Sequence, residues 1–177
     1  MTTPRYIFVG KSGVGKTTLL RRITSHSILE PPPTIGVDFV SCRHPNGNLQ
    51  CWDTSGHPKF HKIVGMFFKD CKVIVYIYDV SDPDSLTYVE KLFFETPDKH
   101  EKIFFLVGNK MGPDCVDQSK ILRLCEEGNM VHFKCDSRCQ ESVLSLFEHI
   151  LYHSNQHSLE VDTPVVSERV CLYCAIL

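Results

Sequence analysis

Eight residues near the amino terminus, Gly10-Lys11-Ser12-Gly13-Val14-Gly15-Lys16-Thr17, fit the spacing G-x-x-x-x-G-K-[ST]. Glycines at those places let backbone N–H groups turn inward around phosphate oxygens. The helix expected to open at Lys16 adds the positive end of its dipole. In such a cradle Lys16 reaches the outer phosphates of a nucleotide, and the Thr17 hydroxyl is placed to ligate Mg2+. Ser12, Gly13, Val14, Gly15 and Thr18 complete the phosphate-binding candidates. Thirty-six residues further on, Asp53-Thr54-Ser55-Gly56 closes an apolar run. An aspartate at a strand end can hold a metal or its water, and the Gly56 N–H can meet a terminal phosphate.

These residues need a strand before the glycine loop, a helix after it, and a second strand carrying Asp53. Arg5–Val9 supplies the first strand. Around Phe39–Arg43 and Leu49–Asp53 lie two runs joined through Asn46-Gly47, a strong hairpin signal. Val73–Tyr78 and Ile103–Val107 are nearly continuous apolar runs, as expected of strands covered on both faces. Val131–Cys135 is a weaker strand. Helical periodicity fills Ser85–Phe94, Val116–Glu127 and Glu141–Tyr152, the last with Val143, Leu144, Phe147, Ile150 and Leu151 on one stripe. Strands alternating with helices predict an α/β, three-layer P-loop fold with a mostly parallel sheet and one antiparallel edge strand. The expected domain covers residues 1–153; from Ser154 to Leu177 polar residues dominate, and a flexible tail is expected.

Composition narrows the function classes. A net charge of −2 argues against nucleic acid as the main partner. The nine cysteines fall largely in apolar segments, which suits reduced, buried thiols in cytosol better than a disulfide framework. No 18-residue apolar run is present. The phosphate loop alone fits kinases, ATPases and switch GTPases alike, although a small kinase would also need a phosphoacceptor site and lid arginines.

With these residues in view, the chain resembles the Ras superfamily and, within it, the Rab branch. Thr34-Ile35-Gly36-Val37-Asp38-Phe39 is similar to the Rab form of switch I. Asn48 to Gly56 is similar to the strand leading into switch II, and Met66 to Asp70 with Val75 to Asp82 match further Rab stretches. The resemblance implies a six-stranded sheet with five helices, bound GTP or GDP, and Mg2+ held by Thr17, Thr34 and Asp53. It also implies effector, exchange-factor and activating proteins meeting switch I (31–40) and switch II (54–68). Lys16, Thr34, Gly56 and the residue at 57 are then the catalytic candidates.

Three departures carry consequences. His57 stands where the family usually has a water-orienting glutamine, and Pro58 stiffens the following turn. Histidine lacks the paired amide donor and acceptor, so slow intrinsic hydrolysis is expected. The base-recognition segment reads Asn109-Lys110-Met111-Gly112, without the family's aspartate; Asp114 lies two residues on. The later Ser-Ala-Lys motif is altered to Asp136-Ser137-Arg138. Weaker guanine preference, with some ATP binding, is the expectation. Before Thr34, Pro31-Pro32-Pro33 favours extended polyproline geometry that restricts switch I. An alternative is a nucleotide-loaded scaffold that recruits partners without useful turnover.

The last four residues, Cys174-Ala175-Ile176-Leu177, fit C-a-a-X, with leucine favouring geranylgeranyl transfer to Cys174. The tail lacks a polybasic patch, so Cys171 is the candidate for a second lipid. Attachment to the cytosolic face of a membrane follows from that expectation.

Overall fold

A computed structural model describes residues 4–25, 31–44 and 47–159. Asn46 of the expected hairpin turn and the lipidation candidates Cys171 and Cys174 lie outside the described residues. Elements follow in the order β1 (Arg5–Val9), α1 (Lys16–Ser25), β2 (Val37–His44), β3 (Gly47–Thr54), α2 (His61–Phe67), β4 (Val73–Asp79), α3 (Pro83–Glu95), β5 (Ile103–Asn109), α4 (Gln118–Gly128), β6 (Val131–Cys135) and α5 (Gln140–Leu159). Short 3-10 turns at Pro58–Phe60 and Lys99–Glu101 precede α2 and β5.

The six strands form one sheet in the order β2-β3-β1-β4-β5-β6. Only the edge pair β2–β3 is antiparallel, with His44 opposite Gly47 at its closed end. All other pairs are parallel, so the carboxyl ends of β1, β3, β4, β5 and β6 emerge along one rim. Loops leaving that rim are where α/β sheets place their ligands.

Alternation along the central strands divides the core between the two sheet faces. Tyr6 and Phe8 of β1 point into one cluster with Leu19, Leu20, Phe105, Val143 and Phe147, under α1 and α5. Ile7 and Val9 point the other way, among Ile74, Tyr76, Leu86, Val89 and Leu124, under α2, α3 and α4. Every residue of β4 and β5 is buried, which is why both read as unbroken apolar runs. Phe8 stacks on Phe147 with ring centroids 5.8 Å apart. Truncating such a fully buried phenylalanine to alanine typically costs about 3–5 kcal/mol.

Helix α5 continues to Leu159, past the boundary expected after residue 153. Ser154 is buried and donates its hydroxyl to the Ile150 carbonyl, 2.5 Å away. A serine that back-bonds its own helix reads as polar in sequence yet packs as core. The stripe is also shifted, since Leu146 is buried and Leu144 only partly so. Among the described residues no helix is long and apolar enough to cross a membrane.

Candidate functional site

The glycine loop leaves β1 at the common rim and enters α1 directly at Lys16. The first helical bond runs from Leu19 N to the Gly15 carbonyl at 3.0 Å, so the amides of the opening turn, Lys16 to Thr18, remain available for an anion. Ser12 and Gly13 are exposed at the mouth of this cradle. Lys16 is 5% exposed, and its ammonium donates to the carbonyls of Gly10 (2.9 Å) and Lys11 (3.0 Å). Burial lowers its pKa to about 8, against an opposing pull from the Asp53 carboxylate. A polyphosphate would supply the negative charge that a buried ammonium lacks.

Three candidate metal ligands meet at one point. Asp53 Oδ2 accepts from the Thr17 hydroxyl at 2.6 Å and from the Thr34 hydroxyl at 3.0 Å, and the two hydroxyls are 2.8 Å apart. Neighbouring oxygens around an octahedral Mg2+ at about 2.0–2.1 Å lie about 2.9 Å from each other. The triad therefore has the spacing and the hard-oxygen chemistry to hold that ion. Asp53 Oδ1 is buried with no hydrogen-bond partner, an acceptor left over for a metal-bound water. Burial raises the Asp53 pKa, with Thr17, Thr34 and Lys16 pulling the other way.

Switch II is pressed onto this cradle. A Cβ added at Gly56 would fall 2.2 Å from Ser12 N and 2.4 Å from the Gly10 carbonyl, so only glycine permits the approach. The two switches are tied by Ser55 N donating to the Gly36 carbonyl at 2.8 Å. His57 is exposed, and its Nδ1 accepts from Lys59 N at 3.2 Å, capping the turn that Pro58 opens. With Nδ1 used as an acceptor, the neutral ring carries its proton on Nε2.

At the base-binding end Asn109 is fully buried and works as a staple. Its Nδ2 donates to the Val14 carbonyl (2.7 Å) and to Ser137 Oγ (3.2 Å), and its Oδ1 accepts from Ser137 N (3.0 Å). Gly15 fits beneath it because a Cβ there would lie 2.3 Å from Asn109 Nδ2. Lys110 adopts φ 74° and pairs with Asp79 at 2.6 Å. Asp79 is subject to burial, which raises its pKa, but Lys110 and Ser81 outweigh that and hold it low. Asp114, the acid nearest the place of the missing aspartate, is engaged by the protein's own side chains. Its Oδ2 is held by Lys134 (2.7 Å) and Gln118 (3.0 Å), and Lys134 foremost depresses its pKa. The Arg138 side chain is exposed, while its amide donates to Asp136 Oδ1.

Several site-building residues carry no obvious sequence signal. Lys11 ties the phosphate loop to Asp82 at 2.8 Å, and Asp82 itself caps α3. Buried Arg22 of α1 donates to the Arg138 carbonyl in the base loop. Phe39, Trp52 and Phe67 join β2, β3 and α2 through ring contacts of 5.0 and 4.9 Å. Only the tendency of aromatics to pair across strands hinted at the first of these contacts.

Residues 5–156 match the Ras family. The chain is 30% identical to the Ras-related protein Rab-18-B of Danio rerio over 161 residues, covering 85% of this chain and 78% of that protein. It is 29% identical to the Ras-related protein RABC2b of Arabidopsis thaliana (82% and 77% covered) and 29% identical to the Ras-related protein Rab-7B of Dictyostelium discoideum (86% and 81%). Family membership brings GTPase activity, guanine-nucleotide binding and, in general, partner proteins that read the bound nucleotide. The rim of parallel strand ends, the phosphate cradle and these matches agree: the chain belongs to the Ras family of small GTPases, as a Rab-like member.

Proposed function

We propose that this GTPase is a membrane-anchored switch in vesicle or membrane traffic, slow to hydrolyse GTP and weak in its preference for guanine. The observation that carries the switch reading is the triad of Thr17, Thr34 and Asp53. Thr34 belongs to switch I, so its place beside Thr17 couples that segment to whatever fills the cradle. Mg2+ bound by these three side chains would neutralise charge on the outer phosphate oxygens. Lys16 would pair its ammonium with phosphate oxygens, and the amides of Lys16 to Thr18 and Gly56 would donate to them.

Slow hydrolysis follows from residue 57. An imidazole that caps its own turn through Nδ1 has one N–H left, and Pro58 fixes the chain behind it. That is a poor replacement for an amide that both donates to and accepts from an attacking water. Relaxed base choice follows from Gly112, from the capture of Asp114 by Lys134, and from the commitment of Asn109 to Val14 and Ser137. A site without an unpaired acid has little with which to reject a purine lacking the guanine N–H groups. Anchoring rests on the sequence Cys174-Ala175-Ile176-Leu177, with Cys171 as a second acceptor, and places the protein on the cytosolic face.

His57-Pro58 also favours a second reading, a nucleotide-loaded scaffold that recruits partners without useful turnover. Multiple-turnover phosphate release, measured with and without an activating protein, separates the two. Stimulated turnover supports the switch, and none under either condition supports the scaffold. For the anchor, a labelled geranylgeranyl donor with its transferase is expected to label the full chain but not Cys174→Ser. Equal labelling of both would remove that part of the proposal.

A further inference from the structure

Switch II and the residues just after it carry an unusual charge. Between His57 and Lys72 lie Lys59, Lys62, Lys69 and Lys72 against a single carboxylate, Asp70, in a chain whose net charge is −2. All four lysines are exposed. Among the described residues none of them forms an ion pair; the one carboxylate bridged to this segment is Glu95 of α3, which meets His61 at 3.2 Å. Within α2, Met66 stands four residues after Lys62 and three after Ile63, so these side chains neighbour one another on the helix surface; Lys59 lies in the 3-10 turn just before the helix and Lys69 just after it. Met66 is 71% exposed and Ile63 44%. Val64 is the only buried residue of α2, so this face is turned outward rather than into the core.

The face is continuous with switch I. Phe67 of α2 touches Trp52, and Trp52 touches Phe39, itself half exposed. Four of the eight large apolar side chains exposed among the described residues, Ile35, Phe39, Ile63 and Met66, lie in the two switches. A row of apolar anchors edged by unpaired ammonium groups is complementary to one kind of ligand surface.

We infer that switch II docks an acidic protein segment, one that presents Asp and Glu side chains around one or two large apolar residues. This rests on the switch reading above and adds the partner's chemistry to it. Exposed lysines contribute little affinity singly, but three clustered in and around α2 steer encounter and reject basic competitors. Such a contact weakens as salt rises above about 0.1 M, where charges more than about 10 Å apart are screened.

The test is a random-peptide display selection against the full chain loaded with a non-hydrolysable GTP analogue, with nucleotide occupancy measured on the same sample. The expected enrichment is of acidic peptides bearing Leu, Phe or Trp. Their affinity should fall about tenfold or more on Lys62→Glu/Lys69→Glu, and a comparable amount on Met66→Ser, with occupancy unchanged. Neutral or basic enriched peptides, or acidic ones indifferent to the charge reversal, would overturn the inference. A parallel arm sediments the unlipidated chain with phosphatidylserine vesicles; lysine-dependent vesicle binding without acidic-peptide enrichment assigns the face to a membrane and also overturns it. Failure to load the analogue counts instead against the switch reading.

Discussion

The Thr34 hydroxyl lies 3.0 Å from Asp53 Oδ2 although 19 residues separate them, and both meet Thr17 at the mouth of the phosphate cradle. Two strands and a hairpin, β2 and β3, are built between them, so the pairing depends on the register of that hairpin. Asp53→Ala removes the acceptor common to both hydroxyls. Nucleotide dissociation is then expected to lose its sensitivity to EDTA and to quicken by about tenfold or more, the scale of losing charge-assisted bonds. Dissociation of a fluorescent GDP analogue with and without chelator checks this.

Lys16 is a charge buried for the sake of its ligand. Its folded pKa of about 8 lies below the ordinary lysine value. Below about pH 8 the nucleotide-free protein must hold a proton on a buried amine, at a cost on the order of 3 kcal/mol. Between pH 8 and the normal lysine range the unfolded chain binds more protons than the folded one, so stability rises with pH. Lys16→Met is expected to abolish nucleotide binding while raising the Tm of nucleotide-stripped protein at pH 7 by several degrees. The gap from wild type should close toward pH 10.5. Thermal melts across that range provide the check.

The proposed weakness in base choice is testable by one change. Gly112 has no backbone conformation that excludes a side chain, and a Cβ there would meet only Ser81 at 3.5 Å, an ordinary contact. Gly112→Asp is expected to raise the GTP-to-ATP affinity ratio by about 100-fold or more, the scale of a buried polar group left unpaired by the wrong base. Asp114→Asn should leave the ratio unchanged, because that carboxylate serves Lys134 and Gln118. Side-by-side titrations with GTP and ATP measure both.

Much of this was legible in the chain itself. β1 and β6 occupy the expected spans Arg5–Val9 and Val131–Cys135, and the buried strands β4 and β5 declared themselves by uninterrupted hydrophobicity. The phosphate loop was legible because backbone curvature, ammonium and hydroxyl are all encoded within eight consecutive residues. Helix α2 was not, since it spans seven residues and buries only Val64, leaving no stripe for a 3.6-residue period to reveal. The fate of Asp114 was hidden for another reason. Its captor, Lys134, is 20 residues away on β6, and only the parallel pairing of β5 with β6 brings the two together.

His57→Gln tests the reading of switch II. Replacing the capping imidazole with an amide that can donate and accept at once is expected to raise single-turnover GTP hydrolysis by about tenfold or more. Rates equal to wild type would show that residue 57 does not limit the chemistry.

Gly56→Ala asks whether switch II must touch the phosphate loop. With no room for a Cβ against the Ser12 amide, the variant must lift away from the cradle. The preference for a triphosphate analogue over GDP is expected to fall, with GDP affinity little changed. Competition binding of the two ligands reads this directly.

The most direct test of the central claim is equilibrium uptake of a labelled guanine nucleotide by the purified chain, with millimolar Mg2+ and then with excess EDTA. The predicted result is one nucleotide per chain, lost on chelation and absent in Lys16→Met. No uptake of GTP or GDP with abundant Mg2+ would contradict it.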